Sequence, residues 1–330
     1  MQEAVTTNIH NFKNRLIQAE VNRLKRFPRE LDLRALKNHG LMLLFKAKRA
    51  NKMMIKRHFS MALKTAAFLS ISFATMNANA FADTKLKQVI AGEHRTESYA
   101  ARDKYRHPQE TLEFFGIRDD MTVVEISPGG GWYSEILAPY LKENGLYIAA
   151  GYDPKSDMEY FANNAKKYAK KLADNPAIYG KTKLSIMQAP DHLDFAKPAS
   201  ADMVLTFRNT HNWHSRGHSE AVFKAIFKAL KPGGVLGLVQ HRAGHKYPED
   251  TSGKFGYLKE SDVIKLAESV GFKLVAKSDI NANPKDQRNY EKGVWTLPPV
   301  YSLGEKDKAK YAAIGESDRM TLKFAKPAAK

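Results

Sequence analysis

The sequence predicts an α/β fold for residues 83–330, with a seven-stranded, mostly parallel sheet, helices on both faces and an antiparallel last strand. Three observations support this prediction. Helical and strand patterns alternate along the chain, which is typical of parallel sheets. Thr122–Ile126 is an apolar run, as expected for a strand covered on both faces. Arg319–Phe324 alternates apolar and polar residues, as a last strand would.

Short apolar runs bounded by turn residues define six strands, and alternation defines the seventh. In chain order the predicted strands are Thr122–Ile126, Leu146–Ala150, Leu184–Gln188, Met203–Phe207, Val235–Gln240, Phe272–Ser278 and Arg319–Phe324. We expect the last strand to pair antiparallel beside the sixth.

Between the strands, apolar residues recur at helical spacing. The predicted helices are Lys85–Ala91, Pro108–Phe115, Trp132–Leu141, Asp157–Leu172, Ser219–Leu230 and Glu260–Val270. The turn "KPGG" at 231–234 ends the fifth helix, and Gly271 ends the last. Residues 281–318 break the pattern and are rich in proline and charge, so they predict an insertion. It is either a lid over a bound acceptor or a structural cover of the sheet edge.

Charge is distributed unevenly along the chain. Fifteen of the 53 Lys/Arg and four of the 35 Asp/Glu fall in residues 1–82, a net charge of +11, which leaves +7 for residues 83–330. No recognised nucleic-acid module or concentrated basic helix occurs in 83–330, so specific nucleic-acid binding is not expected. The chain has no cysteine, which excludes disulfides, cysteine-ligated zinc and thiol catalysis.

Residues 54–82 have the form of a secretory signal peptide. A basic start precedes the uncharged, largely apolar stretch Thr65–Met76, and small-x-small cleavage patterns follow at 78–82. The stretch is too short to span a bilayer comfortably, so we expect no membrane span in the mature protein. Residues 1–53 are then a basic extension or the product of a mis-assigned start. We expect a periplasmic or secreted protein, or a cytoplasmic one if 54–82 is instead an amphipathic or buried helix.

The first predicted strand leads into a glycine loop, "EISPGGGWY". Such a loop lets backbone N–H groups approach a nucleotide-like ligand. A dinucleotide site requires G-x-G-x-x-G, but Gly129, Gly130 and Gly131 are contiguous and no glycine follows at the required offset. Trp132 and Tyr133 would also hinder a pyrophosphate. The loop therefore favours a different ligand.

The same loop resembles the first motif of the class I S-adenosylmethionine-dependent methyltransferases, an acid followed by small residues at alternate positions. Here the motif reads Glu125-x-Ser127-x-Gly129-x-Gly131. The resemblance covers roughly 100–328 in element order. The stretches "VVEISPGGGWYSEILAPYL" and "RMTLKFAKP" resemble, in particular, an uncharacterised group of predicted bacterial methyltransferases that often carry signal peptides. It implies a Rossmann-like fold, S-adenosyl-L-methionine as cofactor and methyl transfer to an unidentified, small-molecule acceptor.

The resemblance also implies roles for individual residues. It assigns cofactor binding to Glu125, Ser127, Gly129, Gly130, Gly131, Asp153 and Asp191. Glu125 would interact with the amino-acid end of the cofactor, Asp153 with the ribose hydroxyls, and Asp191 with the adenine amino group. We expect Ser127 to be extended, because Pro128 follows it and glycine is needed only where φ is positive or space is lacking.

Five histidines follow the fourth and fifth strands: His211, His214, His218, His241 and His245. Neighbouring parallel strands end at the same edge of a sheet, so these side chains are expected near one pocket. His211 or His241 is a candidate general base, since an ordinary histidine pKa suits proton transfer at neutral pH. The alternatives are a metal site and a purely structural role.

Asn209 lies in the polar run 208–210 after the fourth strand, where this superfamily often places substrate-contacting residues. We take it, with the two histidines, as a candidate catalytic residue. Two other functions stay open: a non-catalytic ligand-binding protein on the same scaffold, and a nicotinamide-dependent oxidoreductase, which the glycine spacing disfavours. An export signal conflicts with a cofactor made in the cytosol, which keeps the binding-protein alternative open.

Overall fold

The computed structural model describes residues 84–244 and 252–328. The expected N-terminal extension at 1–53, the expected signal peptide at 54–82 and His245 lie outside the described residues. Within the described ranges, no helix combines the length and the apolar character needed to cross a bilayer.

Seven strands form the sheet of the described part of the chain. Strands β1–β7 are Thr122–Ile126, Leu146–Gly151, Lys183–Ile186, Ala201–Phe207, Leu230–His241, Lys273–Ser278 and Arg319–Ala325. Their order is β3-β2-β1-β4-β5-β7-β6. The first five pair in parallel, and β7 runs antiparallel between β5 and β6. The predicted fold class is confirmed.

Helices pack around this sheet. In chain order, α1–α11 are residues 84–90, Glu97–Ala100, Asp103–Arg106, Pro108–Phe115, Ser134–Leu141, Glu159–Asp174, Pro176–Tyr179, Thr210–His214, Ser219–Ala229, Glu260–Val270 and Lys308–Ile314. A 3-10 turn covers Gly293–Thr296. The short helices α2, α3 and α8 have four or five residues each, too few to show an apolar period in the sequence.

The core lies on both faces of the sheet because successive side chains of a strand point to opposite faces. In β1, Val123 packs with the helices of one face and Val124 with those of the other, and both are fully buried. Met203 and Val204 repeat this alternation in β4. The double burial explains why the central strands are continuous apolar runs.

The prediction for the turn "KPGG" was wrong in one respect. The strand β5 already begins at Leu230, so residues 231–234 lie inside it as an irregularity in the pairing with β4. Gly233, with φ 79°, donates its N–H to Lys326 O at 2.9 Å. Antiparallel pairing with the chain after β7 therefore extends the strand through a stretch that reads locally as a turn.

Residues 279–318 connect β6 to β7 and have a small core of their own. Tyr290, Leu297 and Tyr311 are buried together in it. Asn283 ties its ends by donating from Nδ2 to the carbonyls of Ile314 and Glu316, at 2.9 and 2.6 Å. This connection lies over the carboxyl ends of the central strands and supplies one wall of the cavity described next.

Candidate functional site

The carboxyl ends of β1, β4 and β5 open into a cavity of about 540 Å³. Residues from the glycine loop, the chain after β4, the end of β5 and the 279–318 connection line it. A second cavity of about 280 Å³ adjoins it and shares Ser127, Pro128, Gly129 and Tyr152 with it. In an open parallel sheet, ligands bind at this edge. The two cavities therefore form the candidate site.

The glycine loop has a left-handed backbone at three positions. The φ angles of Ser127, Gly129 and Gly131 are 52°, 60° and 83°. The expected extended conformation of Ser127 was therefore wrong. Its N–H continues the sheet by donating to Ala150 O at 2.8 Å, while the chain has to turn at once into the loop. This tertiary bond and the sharp turn override the local preference of a residue that precedes proline.

Replacing Ser127 by glycine is expected to stabilise the fold by about 0.5–1 kcal/mol. A side-chain-bearing residue in the left-handed region costs about 1–2 kcal/mol, and part of the gain is offset by the greater freedom of glycine in the unfolded chain. Urea denaturation measures the difference. Gly129→Ala is the reciprocal control, because a Cβ there meets nothing within 4 Å and only the φ of 60° opposes it. Equal or lower stability of Ser127→Gly contradicts the strain assigned here.

Glu125 is buried at the end of β1 and lines the larger cavity. Tyr147 Oη donates to its Oε2 at 2.5 Å, and Ser134 Oγ lies 3.5 Å from the same oxygen. Burial raises the pKa of Glu125 to about 7, although the bond from Tyr147 opposes the shift. The carboxyl group is thus close to half-protonated at neutral pH, and a cation placed beside it would stabilise the ionised form.

Asn209 joins the ends of β1 and β4. Its Nδ2 lies 3.1 Å from Ile126 O and 3.4 Å from both Ser127 O and Thr206 Oγ1. The side chain lines the larger cavity, but these contacts make it a support of the glycine loop. A catalytic role for Asn209 stays a prediction.

The two predicted acids after β2 and β3 are placed differently. Asp153 lies between Tyr152 and Pro154, which line the cavities, and its Oδ1 accepts the N–H of Lys155 at 2.8 Å. Asp191 is exposed in the turn after β3 and lines none of the described cavities. The structure brings the region of Asp153 to the site but leaves Asp191 outside it.

Two of the predicted histidines meet in the larger cavity. The rings of His211 and His241 are 5.6 Å apart, and both residues are buried. Nδ1 of His241 lies 2.5 Å from Ser317 Oγ, and Nδ1 of His211 lies 3.2 Å from Gln240 Nε2. His214 and His218 do not line this cavity. Among the described residues, no group of three or more potential ligands is arranged to hold a metal.

These two histidines are neutral at physiological pH. Burial lowers the pKa of His211 to about 4, with the bond to Gln240 opposing the shift. Burial, with His211 and nearby arginines, holds the pKa of His241 well below its usual range. Neutral imidazoles accept or donate hydrogen bonds well, but with such pKa values they are weak proton acceptors.

The sequence patterns did not reveal the arginines of the cavity as a group. Five line it: Arg102, Arg106, Arg208, Arg216 and Arg319. Arg208 alone had a signal, since it begins the polar run after β4. The others come from a turn and a short helix before the first strand, from a loop and from β7. No local pattern links such distant positions.

Glu316 is the carboxylate that contacts three of them. It pairs with Arg102 at 2.6 Å, with Arg106 at 3.4 Å, and with Arg319. Arg106 also lies over the ring of Trp132, 4.6 Å from its centroid. Aromatic faces stabilise a cation in this geometry. Charged side chains and aromatic rings therefore line the cavity together.

The chain is similar to known proteins in sequence and in fold. Residues 97–277 match the family model described as "Methyltransferase domain". No curated protein matches the chain. A solved SAM-dependent methyltransferase from Aquifex aeolicus is 14% identical, covering 74% of this chain and 98% of its own, with a TM-score of 0.46.

Two further solved structures are similar in fold. The [4+2]-cyclase SpnF is 14% identical, covering 76% of this chain and 95% of its own, with a TM-score of 0.50. Phosphoethanolamine N-methyltransferase 2 from Haemonchus contortus, in complex with S-adenosyl-L-methionine, is 16% identical, covering 68% and 53%, with a TM-score of 0.45. The family model spans more than half of the 330 residues and confirms the resemblance to methyltransferases seen in the sequence. The resemblance to a group that carries signal peptides stays a prediction. This chain belongs to the methyltransferase-domain family.

Proposed function

We propose that the chain is an S-adenosylmethionine-dependent methyltransferase that acts on a small molecule. One observation carries the proposal: the family's glycine loop, with Glu125 before it, opens into two adjoining cavities at the carboxyl edge of the sheet. An elongated ligand with a nucleoside at one end and an amino acid at the other suits two connected cavities.

The residues present fit this cofactor. No atom of the described residues lies within 4 Å of the place where a Cβ of Gly129 would be, so the loop backbone is open to a ligand. The buried carboxyl of Glu125 suits the cofactor's ammonium, and Asp153 suits a pair of ribose hydroxyls. When bound, the cofactor supplies a methyl group already activated on a sulfonium. The rings of Tyr133 and Phe207 stack with their centroids 3.6 Å apart, and both residues line the larger cavity. Aromatic faces of this kind suit a cation.

The protein's remaining tasks are alignment of the acceptor and exclusion of water. Val294, Trp295 and Pro298 of the 279–318 connection line the cavity, and Trp295 stands 5.9 Å from the ring of His211. A volume of about 540 Å³ bounded in this way suits a small acceptor. His211 and His241 then serve to orient the acceptor by hydrogen bonds. An exported location stays part of the proposal, on the strength of residues 54–82 alone.

Calorimetric titration of the full chain with S-adenosylmethionine, S-adenosylhomocysteine and NAD tests the proposal. We expect the first two to bind and NAD not to bind. Asp153→Asn is expected to lower the affinity for S-adenosylhomocysteine by about tenfold, because a charge-assisted hydrogen bond is lost. Asp174→Asn is the matched control, because Asp174 is exposed at the end of α6 and, among the described residues, forms an ion pair with Lys170 alone. Absence of binding by both sulfur nucleosides overturns the proposal.

The binding-protein alternative makes a different prediction in the same experiment. It requires cofactor binding without methyl transfer to any member of a broad acceptor panel. Radiolabel transfer from the methyl group to any acceptor excludes it.

A further inference from the structure

The larger cavity carries an excess of positive charge. Its lining includes five arginines and two carboxylates, Glu125 and Glu316, and neither lysine nor aspartate is among its described lining residues. The two histidines are neutral at physiological pH, for the reasons given above. Even with both carboxylates ionised, the described lining residues carry three uncompensated positive charges.

Two of these arginines have guanidinium nitrogens that no described residue satisfies. Arg106 is 4% exposed, and its Nη1 is buried without a hydrogen-bond partner among the described residues. The guanidinium of Arg208 makes no ion pair or hydrogen bond within the described ranges, while its backbone N–H donates to Val239 O at 2.7 Å. Buried polar groups without partners, such as Arg106 Nη1, are rare. Arg208 is only partly buried and lines the cavity, so its unpaired guanidinium is open to a ligand there.

The backbone at Arg208 is strained as well. Its φ of 63° is left-handed, a conformation that side-chain-bearing residues adopt at a cost of about 1–2 kcal/mol. Strained residues cluster at ligand sites, where the surrounding structure holds them in place. Burial lowers the pKa of Arg208 to about 10, and Arg319 adds to the shift, so the guanidinium stays charged at physiological pH.

The proposed cofactor does not remove this excess. Its carboxylate is accompanied by an ammonium and a sulfonium, so the bound molecule adds a net positive charge. The remaining partner of the cavity is the methyl acceptor, and a negative charge on it would offset the arginines. A planar guanidinium suits carboxylate and phosphate oxygens through paired hydrogen bonds.

We infer that the methyl acceptor carries an anionic carboxylate- or phosphate-like group that Arg106 and Arg208 bind in the larger cavity. This inference rests on the proposed function of the same site. Since both histidines are weak proton acceptors, the site is suited to binding a group that is already deprotonated.

Three probes of one shape test the sign of the charge: benzoate, neutral benzamide and cationic benzamidine. Calorimetric titrations of the full chain are run with saturating S-adenosylhomocysteine present. We expect benzoate to bind at least about tenfold more tightly than benzamide, with no heat from benzamidine. Equal binding of benzoate and benzamide, or binding of benzamidine, overturns the inference.

Variants of Arg208 test whether this arginine binds the anionic group. Arg208→Gln is expected to lower the affinity for benzoate by about tenfold. Arg208→Lys keeps the charge and is expected to lower it by less. Arg118→Gln is the matched control, because Arg118 is exposed and pairs with Asp120 outside the cavity. Benzoate affinity that is unchanged in Arg208→Gln overturns the assignment.

The arginines could instead bind the carboxylate of the cofactor. The titrations distinguish a site for the cofactor carboxylate from a site for an anionic acceptor. If the arginines serve the acceptor, benzoate binds with and without S-adenosylhomocysteine, and Arg208→Gln leaves the affinity for S-adenosylhomocysteine intact. Competition between the two ligands overturns the acceptor assignment. Binding of benzoate without any binding of S-adenosylhomocysteine overturns the proposed function and leaves the anion site standing.

Discussion

Replacing Glu316 by glutamine is expected to lower the free energy of unfolding by about 3–5 kcal/mol, the effect of breaking a buried ion pair from one side. The side chain of Glu316 is 3% exposed and contacts Arg102, Arg106 and Arg319. The glutamine amide preserves the shape but leaves three guanidinium groups beside a cavity that already has excess positive charge. Urea denaturation at pH 7 measures the change.

Glu305→Gln is the control for this substitution. Glu305 is 85% exposed and pairs with Lys308 at 2.7 Å, so its replacement is expected to change stability by less than about 0.5 kcal/mol. A loss below about 1 kcal/mol in Glu316→Gln contradicts the role given to this carboxylate, since that is the range of a surface pair.

The pH dependence of stability gives a second test of the role of Glu316. Burial alone would raise the pKa of Glu316, but Arg319, Arg106 and Arg102 outweigh it and hold the pKa well below its ordinary value of 4.5. A carboxyl with a lowered pKa contributes stability above its unfolded pKa and loses it as the pH falls. The wild type should therefore lose stability below about pH 4.5 more steeply than Glu316→Gln.

The elements that the sequence predicted well are those whose pattern is local. Thr122–Ile126 has the same bounds in the prediction and in the structure, because a buried run ends at a glycine loop. The helix ended by Gly271 also has its predicted bounds, since the φ of 113° there requires glycine. These signals lie within a few residues of the element that they delimit.

Most of the charged residues of the site have no such signal. Arg102 and Glu316 are 214 positions apart in the chain, and their contact depends on how the turn between α2 and α3 meets the segment before β7. Burial and pKa likewise depend on tertiary packing. Histidine patterns suggested a base with an ordinary pKa, whereas burial at the carboxyl ends of β4 and β5 makes both histidines weak ones.

Ser127 and Asp191 show the limit of predicting loop geometry from local sequence and strand order. The steric preference of a residue before proline predicted an extended Ser127, but the sheet bond to Ala150 and the turn into the loop override it. Asp191 was placed by strand order, yet the chain after β3 turns back at once, pairing Gln188 with His192, and carries Asp191 to the surface. Both outcomes depend on the path of a loop.

Replacing Glu125 by glutamine is expected to stabilise the fold at pH 8 while weakening cofactor binding. The folded chain keeps the proton of Glu125 up to a pKa of about 7, whereas the ordinary value is 4.5. Stability therefore falls as the pH rises through this window, because the folded state must release a proton that the unfolded chain has already lost. Glutamine resembles the protonated form and removes that loss, on the order of 2–3 kcal/mol.

The diagnostic quantity is the stability difference between Glu125→Gln and the wild type at pH 4.5 and at pH 8. We expect the free energy of unfolding of the variant to rise relative to that of the wild type as the pH increases from 4.5 to 8. Its affinity for S-adenosylhomocysteine should fall by about tenfold, because the negative charge is lost. Glu135→Gln is the matched control: Glu135 is also buried, but Lys171 and Thr96 lower its pKa against the effect of burial. Its replacement should lower stability at pH 8. If Glu125→Gln behaves like Glu135→Gln, the raised pKa assigned to Glu125 is wrong; if it gains stability and keeps full affinity, the carboxylate has no part in binding the cofactor.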